Sequence, residues 1–396
     1  MKFTLGQELA LRTVWAVVAD PEQKYLVIKG PAGTGKSEVI RAIAEDMITK
    51  SAAIHKLTGQ SPLELIVTAT TNKAVDALNS KKIAHINAVT IFSALGLRPY
   101  NGKLVASRKE KLHKKLVIID ESSYIDEQLA NHIERFTDDT CKVIFVGDPY
   151  QLAPVGYTHA PIFDMGIEEV ELTEIMRQDK NNPIQALSLA LREFVKGGEL
   201  PKLEVDGKHL FHIKDEDKFV DTLIESFKKG RKAKFIGFTN QLVTNANNIV
   251  KADLENTDAI QVGDTLICNN YVPLKPHPIK TDSEVTVHAI TRAVNYGVQG
   301  NRIKLTTGVS VFAPLDYKVF KDENLLSNST IKKEMSTWAD LRSGYACTIH
   351  KSQGSTYQDV FINLDELNQL NDADLSRLLY VAVSRASERV YFMGNL

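Results

Sequence analysis

The sequence has little of what several classes of protein require. Three cysteines, Cys141, Cys268 and Cys347, are far apart in 396 residues, and no two of them form a CxxC pair. This sparse, odd set provides no cysteine-based zinc cluster and is typical of a reducing compartment. No uninterrupted apolar stretch approaches the roughly 20 residues that a membrane helix needs. We therefore expect a protein of the cytoplasm or its equivalent, with no membrane partner.

An excess of either charge is also missing. The chain has 48 Lys and Arg residues against 49 Asp and Glu residues, which gives a formal net charge of −1. Because the whole molecule offers a polyanion no net attraction, any nucleic acid must be met by a local basic surface. The balance argues against a histone-like or purely electrostatic DNA-binding protein. The length suggests two to four domains at roughly 100–200 residues each.

The N-terminal 20 residues contain apolar side chains without forming a continuous apolar run. Gln7, Glu8 and Arg12 interrupt them, while Leu5, Leu9, Arg12 and Ala16 fall at helical spacing. This pattern predicts an amphipathic helix and not a signal peptide.

Short apolar runs alternate with helical segments up to about residue 180. Runs of this length are what parallel strands need when helices cover both faces of a sheet, so they predict a doubly wound α/β fold. A second α/β region begins near residue 181, and from about 262 to 343 it is interrupted by a β-like, turn-rich segment that predicts a small inserted barrel. The apolar runs of the first region are residues 26–28, 65–67, 116–119 and 143–146.

A phosphate-binding loop follows the first of these runs. Its glycines let backbone N–H groups approach phosphates, and the next helix offers its positive N-terminal end. Lys36 would neutralise phosphate charge, and the Ser37 hydroxyl would complete a Mg²⁺ shell. The alternative is a chance glycine-rich turn. The residues that match the GxxxxGK[ST] pattern are Gly30, Pro31, Ala32, Gly33, Thr34, Gly35, Lys36 and Ser37.

The apolar run 116–119 ends in two carboxylates, Asp120 and Glu121. A buried strand would deliver Asp120 to the metal ion at its carboxyl end, and Glu121 can polarise the attacking water. By itself the pair is also compatible with an ordinary strand and an acidic turn. Combined with the phosphate loop, it indicates a Mg²⁺-dependent ATPase or GTPase. Because no guanine-reading NKxD motif is evident, ATP is favoured.

Several further segments occur in a fixed order. They read GQ at 6–7, TATTNKA at 68–74, VTIFS at 89–93, DESS at 120–123, VGDPYQLAPV at 146–155, LTEIMRQ at 172–178, TIHKSQGST at 348–356 and YVAVSRA at 380–386. In this order the chain resembles a superfamily 1 helicase, and within that superfamily the RecD-like (1B) group. The resemblance runs from Gln7 to the C-terminus.

The resemblance implies roles at the nucleotide. Gln7 would read the adenine edge, and Gln151 would sense the γ-phosphate and link it to DNA. Arg177 and Arg385 would be arginine fingers from the two sides of a cleft, and Gly354 would also contact the nucleotide. Arginine is suited to the role of a finger because its rigid, charged fork stabilises charge on the transferred phosphoryl group.

The resemblance also implies a track for single-stranded DNA. Small polar groups at strand ends suit phosphate contacts that are made and released repeatedly. Each such residue could instead be a helix cap or turn residue, and His350 could be a packed structural histidine. The implied contacts are Thr70, Thr71, Asn72 and Thr90 from the first region, and Thr239, Asn240, Thr348, His350 and Lys351 from the second.

Asn101-Gly102 predicts a tight hairpin within residues 97–105. Helicases of this kind carry a duplex-splitting pin at this position, so Tyr100 or Leu104 would stack on the fork. The alternative is a plain surface hairpin.

The resemblance gives two RecA-like motor domains. The first would span 1–180 with the pin at about 97–112, and the second 181–262 and 344–396. An SH3-like barrel at 263–343 would interrupt the second domain.

The sequence therefore predicts a monomeric ATP-dependent DNA helicase that moves 5′ to 3′, in a bacterial or phage-infected cell. Its partners would be single-stranded DNA and forks, with single-strand binding protein or replication proteins as further candidates. The pathway would be replication, repair or recombination. Three alternatives are a translocase that displaces proteins without strand separation, a small-molecule P-loop kinase and an ATP-switched binding module.

Overall fold

The computed structural model describes residues 3–59, 61–80, 87–100, 103–107, 110–176, 182–255, 259–274 and 278–395. Besides a two-stranded hairpin, two parallel sheets and one five-stranded antiparallel sheet organise these residues. We call them the first sheet, the second sheet and the inserted sheet.

The first sheet is parallel throughout and has the strand order β3-β2-β6-β7-β1-β8. Its central strands are apolar on both faces because helices cover both, as the continuous apolar runs predict. The elements of this region are α1 (Leu5–Ala19), β1 (Tyr25–Lys29), α2 (Lys36–Thr58), β2 (Glu64–Ala69), α3 (Asn72–Ser80), β3 (Val89–Thr90), α4 (Ile91–Ala94), β4 (Leu97–Tyr100), β5 (Lys103–Ala106), β6 (Lys115–Asp120), α5 (Glu127–Phe136), β7 (Lys142–Gly147) and β8 (Glu169–Glu171).

The second sheet is also parallel and has the order β16-β10-β17-β18-β9. The α/β class with parallel sheets is thus confirmed for both regions. The elements on the N-terminal side of the insertion are α6 (Pro183–Val195), β9 (Leu210–His212), α7 (Glu216–Lys228), β10 (Ala233–Gly237) and α8 (Asn240–Glu255).

The inserted sheet has five antiparallel strands in the order β14-β13-β12-β11-β15. It has an apolar core of its own, and Trp338 and Phe312 make a second small cluster beside it. Its elements are β11 (Thr265–Cys268), β12 (Glu284–Asn295), β13 (Val298–Leu305), β14 (Ser310–Pro314), α9 (Glu323–Ser327), α10 (Ser329–Met335) and β15 (Leu341–Ser343). The chain then completes the second sheet with β16 (Ala346–Thr348), α11 (Ile349–Ser352), β17 (Tyr357–Asn363), α12 (Asp372–Val383) and β18 (Ala386–Met393).

The N-terminal helix forms as predicted, and one side of it is buried. Thr4 and Gln7 make a reciprocal capping box at its start. The core side is lined by Ala10, Val14, Val17 and Val18, whereas Leu5 is 79% and Leu9 55% exposed. The predicted amphipathic helix is therefore confirmed, with Leu5 and Leu9 on its solvent side.

β4 and β5 pair as an antiparallel hairpin with Leu97 opposite Ala106. Its turn at 101–102 lies outside the described residues. Among the helices that the structure describes, none combines the length and apolarity required to cross a membrane.

Candidate nucleotide site and nucleic-acid track

The phosphate loop connects β1 to α2 and has a conformation that requires glycine. Gly35 has a φ of 81°, in the left-handed region. A Cβ atom at Gly35 would lie 2.3 Å from the Gln7 side-chain nitrogen. The loop is therefore shaped both by its own backbone and by the helix α1 that packs over it.

Lys36 begins helix α2 and points back into the loop. Its ammonium donates to the carbonyl oxygens of Gly30 at 2.7 Å and Pro31 at 3.0 Å. Burial lowers the pKa of Lys36, whereas the nearby carboxylates of Asp148, Glu121 and Asp120 favour its charged form. In such a site the buried ammonium can bind phosphate, while the nearby carboxylates can hold a metal ion.

Gln7 lies against the phosphate loop and is 4% exposed. Its side-chain Nε2 donates to the Thr34 carbonyl at 3.0 Å, and its Oε1 accepts the Thr4 backbone N–H at 3.1 Å. Both ends of the amide thus have partners within the protein, so a contact with adenine would use the remaining N–H and lone pair.

The two predicted acidic residues lie where β6 ends. Glu121 adopts a φ of 51°, a left-handed conformation that is costly for a residue with a side chain, and its N–H donates to Asp120 Oδ1 at 2.9 Å. Gln353, from the second-sheet side, approaches Glu121 Oε2 at 3.5 Å and Ser123 Oγ at 3.2 Å. Such backbone strain recurs at functional sites, where the surrounding structure holds it in place.

A cleft of about 840 Å³ separates the two parallel sheets. Its walls bring together predicted site residues from opposite ends of the chain, namely Ala32, Gly33, Gly35, Lys36, Ser37, Asp120, Glu121, Gln151, Gly354 and Arg385. The Ser37 hydroxyl and the Asp120 carboxylate offer the oxygen donors that Mg²⁺ prefers.

Gln151 follows β7 and is 3% exposed. Within the described part of the chain, its side-chain Oε1 is buried with no hydrogen-bond partner. A buried polar atom without a partner is costly, so its presence in a cleft wall indicates a ligand-facing group.

Arg385 follows α12 and is 4% exposed. Its guanidinium donates to the Ser384 hydroxyl at 2.7 Å and the Val381 carbonyl at 3.1 Å. It thus reaches the cleft from the second-sheet side while remaining attached to the end of its own helix. Arg177 lies outside the described residues; its neighbour Met176 donates its backbone N–H to the Gly33 carbonyl at 2.8 Å.

The predicted DNA contacts of the first region lie at the carboxyl ends of β2 and β3. Thr70 donates to the Glu121 carbonyl at 2.9 Å. Thr71 accepts the Ala74 N–H, and Thr90 caps α4. Asn72 begins α3. Thr71 and Thr90 therefore act as helix caps, which is the alternative that the sequence left open, whereas Thr70 binds the turn that carries Glu121.

The contacts predicted for the second region lie at the carboxyl ends of β10 and β16. Thr239 donates to Glu366 at 2.6 Å, and Asn240 begins α8. Thr348 is buried and caps α11, and His350 is exposed.

Lys351 makes contacts with the inserted sheet region. Its ammonium donates to Asn269 Oδ1 at 2.5 Å and pairs with Asp282 at 3.0 Å. Leu104 is half-buried on β5, and the side chain of Tyr100 lies outside the described residues.

Sequence reasoning missed three kinds of contact across the cleft. Gln353 bridges to the acidic turn, and Lys73 donates to the Lys351 carbonyl at 2.7 Å. Arg377 and Tyr380 of α12 bind the loop that carries Gln151. Gln353, Lys73 and Tyr380 lie inside the motif segments, but their partners are more than 200 residues away. Membership in a motif segment was therefore the only signal in the sequence that pointed to these three residues.

Two family matches cover most of the chain. Residues 5–207 match the AAA domain family, and residues 343–393 match the UvrD-like helicase C-terminal domain. The first match alone spans more than half of the 396 residues.

Individual relatives agree with these matches. The chain is 24% identical to the ATP-dependent DNA helicase dda of Enterobacteria phage T4 over 98% of its length and 99% of that protein. It is 22% identical to the RecBCD enzyme subunit RecD of Mycolicibacterium smegmatis over 94% of this chain and 68% of that one. A Pif1 helicase structure, solved for unwinding at forked duplex DNA, has the same fold with a TM-score of 0.55, 19% identity and coverage of 99% and 92%.

The Pif1-like fold has two RecA-like domains, which correspond to the two parallel sheets. The sequence motifs, the composite cleft and the family matches agree with one another. The chain therefore belongs to the AAA domain family and, with its UvrD-like helicase C-terminal domain, is a superfamily 1 helicase of the RecD-like group, similar to the phage Dda helicase.

Proposed function

We propose that this chain couples ATP hydrolysis to 5′-to-3′ movement on single-stranded DNA and thereby unwinds duplex DNA. One observation carries the proposal: Lys36, Asp120 and Glu121 of the first sheet face Arg385 of the second across a single cleft. A site divided in this way is complete only when its two halves approach each other, so the chemistry is tied to domain closure. The naming of the dda relative as an ATP-dependent DNA helicase supports the same activity.

The chain's own residues divide the work of phosphoryl transfer. Lys36 would release the two loop carbonyls and bind the β- and γ-phosphates, which are stronger acceptors. Ser37 and Asp120 would hold Mg²⁺, which neutralises phosphate charge when bound. Glu121 would orient and deprotonate the attacking water, because its strained turn directs it into the cleft.

The remaining nucleotide contacts would read and sense the substrate. Gln151 would use its unpartnered Oε1 and its amide to detect the γ-phosphate and the attacking water. Arg177 and Arg385 would stabilise charge that develops on the transferred group. Gln7 would face the adenine, and Gly354 would lie beside Glu121, since a Cβ there would be 3.6 Å from Glu121 Oε1.

The proposed DNA track follows the carboxyl ends of parallel strands in both sheets. Such ends lie at one edge of a parallel sheet, which is where ligands of α/β folds bind. Their small polar residues would contact phosphates, and exchange of their local hydrogen bonds would let each domain release and rebind the strand. The track comprises Thr70, Thr71, Asn72 and Thr90 on one domain and Thr239, Asn240, Thr348, His350 and Lys351 on the other.

The domain division proposed from sequence fits this mechanism. Motor domain 1 comprises residues 1–180, and motor domain 2 comprises 181–262 and 344–396. The hairpin at 97–112 would serve as the pin that splits the duplex through Tyr100 or Leu104. The inserted region 263–343 would be an SH3-like domain over the single strand. The partners are single-stranded DNA and forks, with single-strand binding protein as a further candidate, and the chain would act as a monomer.

The test is unwinding of matched duplexes that carry either a 5′ or a 3′ single-stranded tail. Lys36→Ala should abolish hydrolysis and unwinding. Lys50→Ala is the matched control, because Lys50 is an exposed lysine on the same helix. We expect unwinding from the 5′ tail only. Unwinding from the 3′ tail alone would contradict the polarity, and DNA-stimulated hydrolysis without unwinding would favour a translocase.

A further inference from the structure

The loop that carries Gln151 is held by the second motor domain, although it follows β7 of the first sheet. Arg377 of α12 donates through Nη1 to the Pro149 carbonyl at 2.8 Å and to the Gln151 carbonyl at 2.7 Å. These two bonds fix the backbone on both sides of residue 150. Because one of the acceptors is the carbonyl of Gln151 itself, they also fix the direction in which its side chain leaves the chain.

A second residue of α12, Tyr380, binds the start of the same loop by a hydrogen bond. The Tyr380 hydroxyl donates to Asp148 Oδ2 at 2.6 Å, and both residues are at most 1% exposed. Hydrogen bonds to a buried carboxylate are strong, because the charge has no water to replace the donor.

Packing against α6 and the second core completes the attachment. The Arg192 guanidinium lies 4.5 Å from the centre of the Tyr150 ring, and Arg192 Nε is 3.7 Å from Asp148. Leu152 is buried in the same apolar cluster as α6 and α12. The whole segment from 148 to 152 is thus packed as a part of the second domain.

The same helix also ends at the proposed arginine finger. Positions 377, 381 and 385 are four residues apart, so they lie on one side of the helix and its C-terminal extension. Arg385 is bound to the Val381 carbonyl and to the Ser384 hydroxyl. A helix is stiff over the roughly 12 Å that separate eight residues, so its two ends move together.

We propose that α12 moves Arg385 and Gln151 as one unit, and that Arg377 is the positioning residue that joins Gln151 to it. This inference rests on the proposed ATP hydrolysis. Closure of the cleft by the finger would carry the 148–152 loop with it. The γ-phosphate sensor would therefore reach its working position only when the finger does, and neither group would act on a nucleotide in an open cleft.

The first test replaces Arg377 by methionine, which keeps much of the buried volume and removes both donors. We expect kcat for DNA-stimulated ATP hydrolysis to fall roughly 10²-fold, because small displacements of a catalytic group have effects of this size. The KM for ATP should change less than about twofold, since Arg377 does not line the cleft. Arg377→Lys can still reach one carbonyl and should recover part of the loss.

The control for this variant is Arg389→Met in the same domain. Arg389 donates to the buried Asp359 at 3.1 Å, and Asp359 keeps Arg231 as a partner when Arg389 is removed. This variant should leave kcat near the wild-type value. A similar loss in both variants would assign the Arg377 effect to general destabilisation and overturn the proposal.

The decisive test is a double-mutant cycle with Gln151→Ala. If Arg377 acts through Gln151, then Arg377→Met causes little further loss of kcat once Gln151 is gone. Losses that multiply in the double variant would overturn the coupling. A wild-type protein without DNA-stimulated hydrolysis would overturn the proposed function and the coupling with it, whereas an active wild type with multiplying losses overturns the coupling alone.

A nearly isosteric variant keeps the test valid if Arg377→Met does not fold. Tyr380→Phe removes only the hydroxyl that binds Asp148, and it should show the same non-additivity with Gln151→Ala. Its control is Tyr317→Phe, which removes a hydroxyl bonded to the Leu341 carbonyl in the inserted sheet. An unchanged kcat in Tyr380→Phe and in a folded Arg377→Lys protein would overturn the proposal.

Discussion

Alanine at Gly35 would test how the phosphate loop is held against helix α1. Gly35 and Gly59 are at the two ends of helix α2, and both have a left-handed backbone, with φ values of 81° and 74°. They differ in their surroundings. A Cβ at Gly59 has nothing within 4 Å, whereas a Cβ at Gly35 would lie 2.3 Å from Gln7 Nε2. Gly59→Ala therefore measures the cost of the backbone conformation alone.

The difference between the two variants gives the energy of the contact with Gln7. The left-handed backbone costs alanine roughly 1–2 kcal/mol at either position. At Gly35 the clash must also displace Gln7 from its bond to the Thr34 carbonyl, which leaves buried polar groups unpaired at a further cost of about 1–3 kcal/mol. We therefore expect Gly35→Ala to lower the free energy of unfolding by more than Gly59→Ala does.

The assay is urea unfolding of Gly35→Ala, Gly59→Ala and their parent, each in the wild-type and in the Gln7→Ala background. In a Gln7→Ala background the clashing amide is absent, so Gly35→Ala should cost no more than Gly59→Ala does. Equal costs for the two glycine variants in the wild-type background would refute the placement of Gln7 against the loop. If Gly35→Ala costs as much unfolding free energy in the Gln7→Ala background as in the wild type, then its excess over Gly59→Ala comes from the loop and not from Gln7.

Two further predictions concern contacts that the structure reveals. Gln353→Ala should lower kcat for ATP hydrolysis by roughly 10-fold with little change in ATP affinity, because it removes the contact that orients Glu121 from the opposite domain. Steady-state kinetics measure both quantities, and a change confined to KM would contradict the prediction. Asp359→Ala should lower the free energy of unfolding by about 1–3 kcal/mol, because it removes the buried acceptor of Ser226, Arg231 and Arg389, although Arg231 keeps its contact with Glu388. Thermal or urea unfolding measures the loss, and a loss below about 1 kcal/mol would contradict the structural role of the buried Asp359 carboxylate.

The proposed unit of α12 and the 148–152 loop gives the helicase motifs a mechanical relation. Gln151 and Arg385 belong to motifs that are more than 200 residues apart, yet the same helix carries one and binds the backbone of the other. A nucleotide that draws Arg385 into the cleft would then also bring Gln151 into its working position. In this proposal, the separation of the two sheets acts on both groups through the hydrogen bonds of one helix.

The sequence by itself determined the features that depend on neighbours along the chain. Apolar runs flanked by helical segments give buried parallel strands, since strand and helix periodicity are local. The phosphate loop requires glycines within eight positions, and Asp120 has to end its strand because the apolar run ends there. The hairpin strands around 101–102 follow from local turn chemistry in the same way.

Only the tertiary structure decided features that depend on distant partners. The buried side of α1 was set by the sheet that it meets, which leaves Leu5 and Leu9 exposed. Leu152 joined the core of the second domain, although the loop that carries it follows β7 of the first sheet. Arg377 and Gln353 have working partners across the cleft that no local pattern specifies. The physical reason is that periodicity encodes which face of an element is apolar, whereas the partner of a polar side chain is decided only when elements from both ends of the chain pack together.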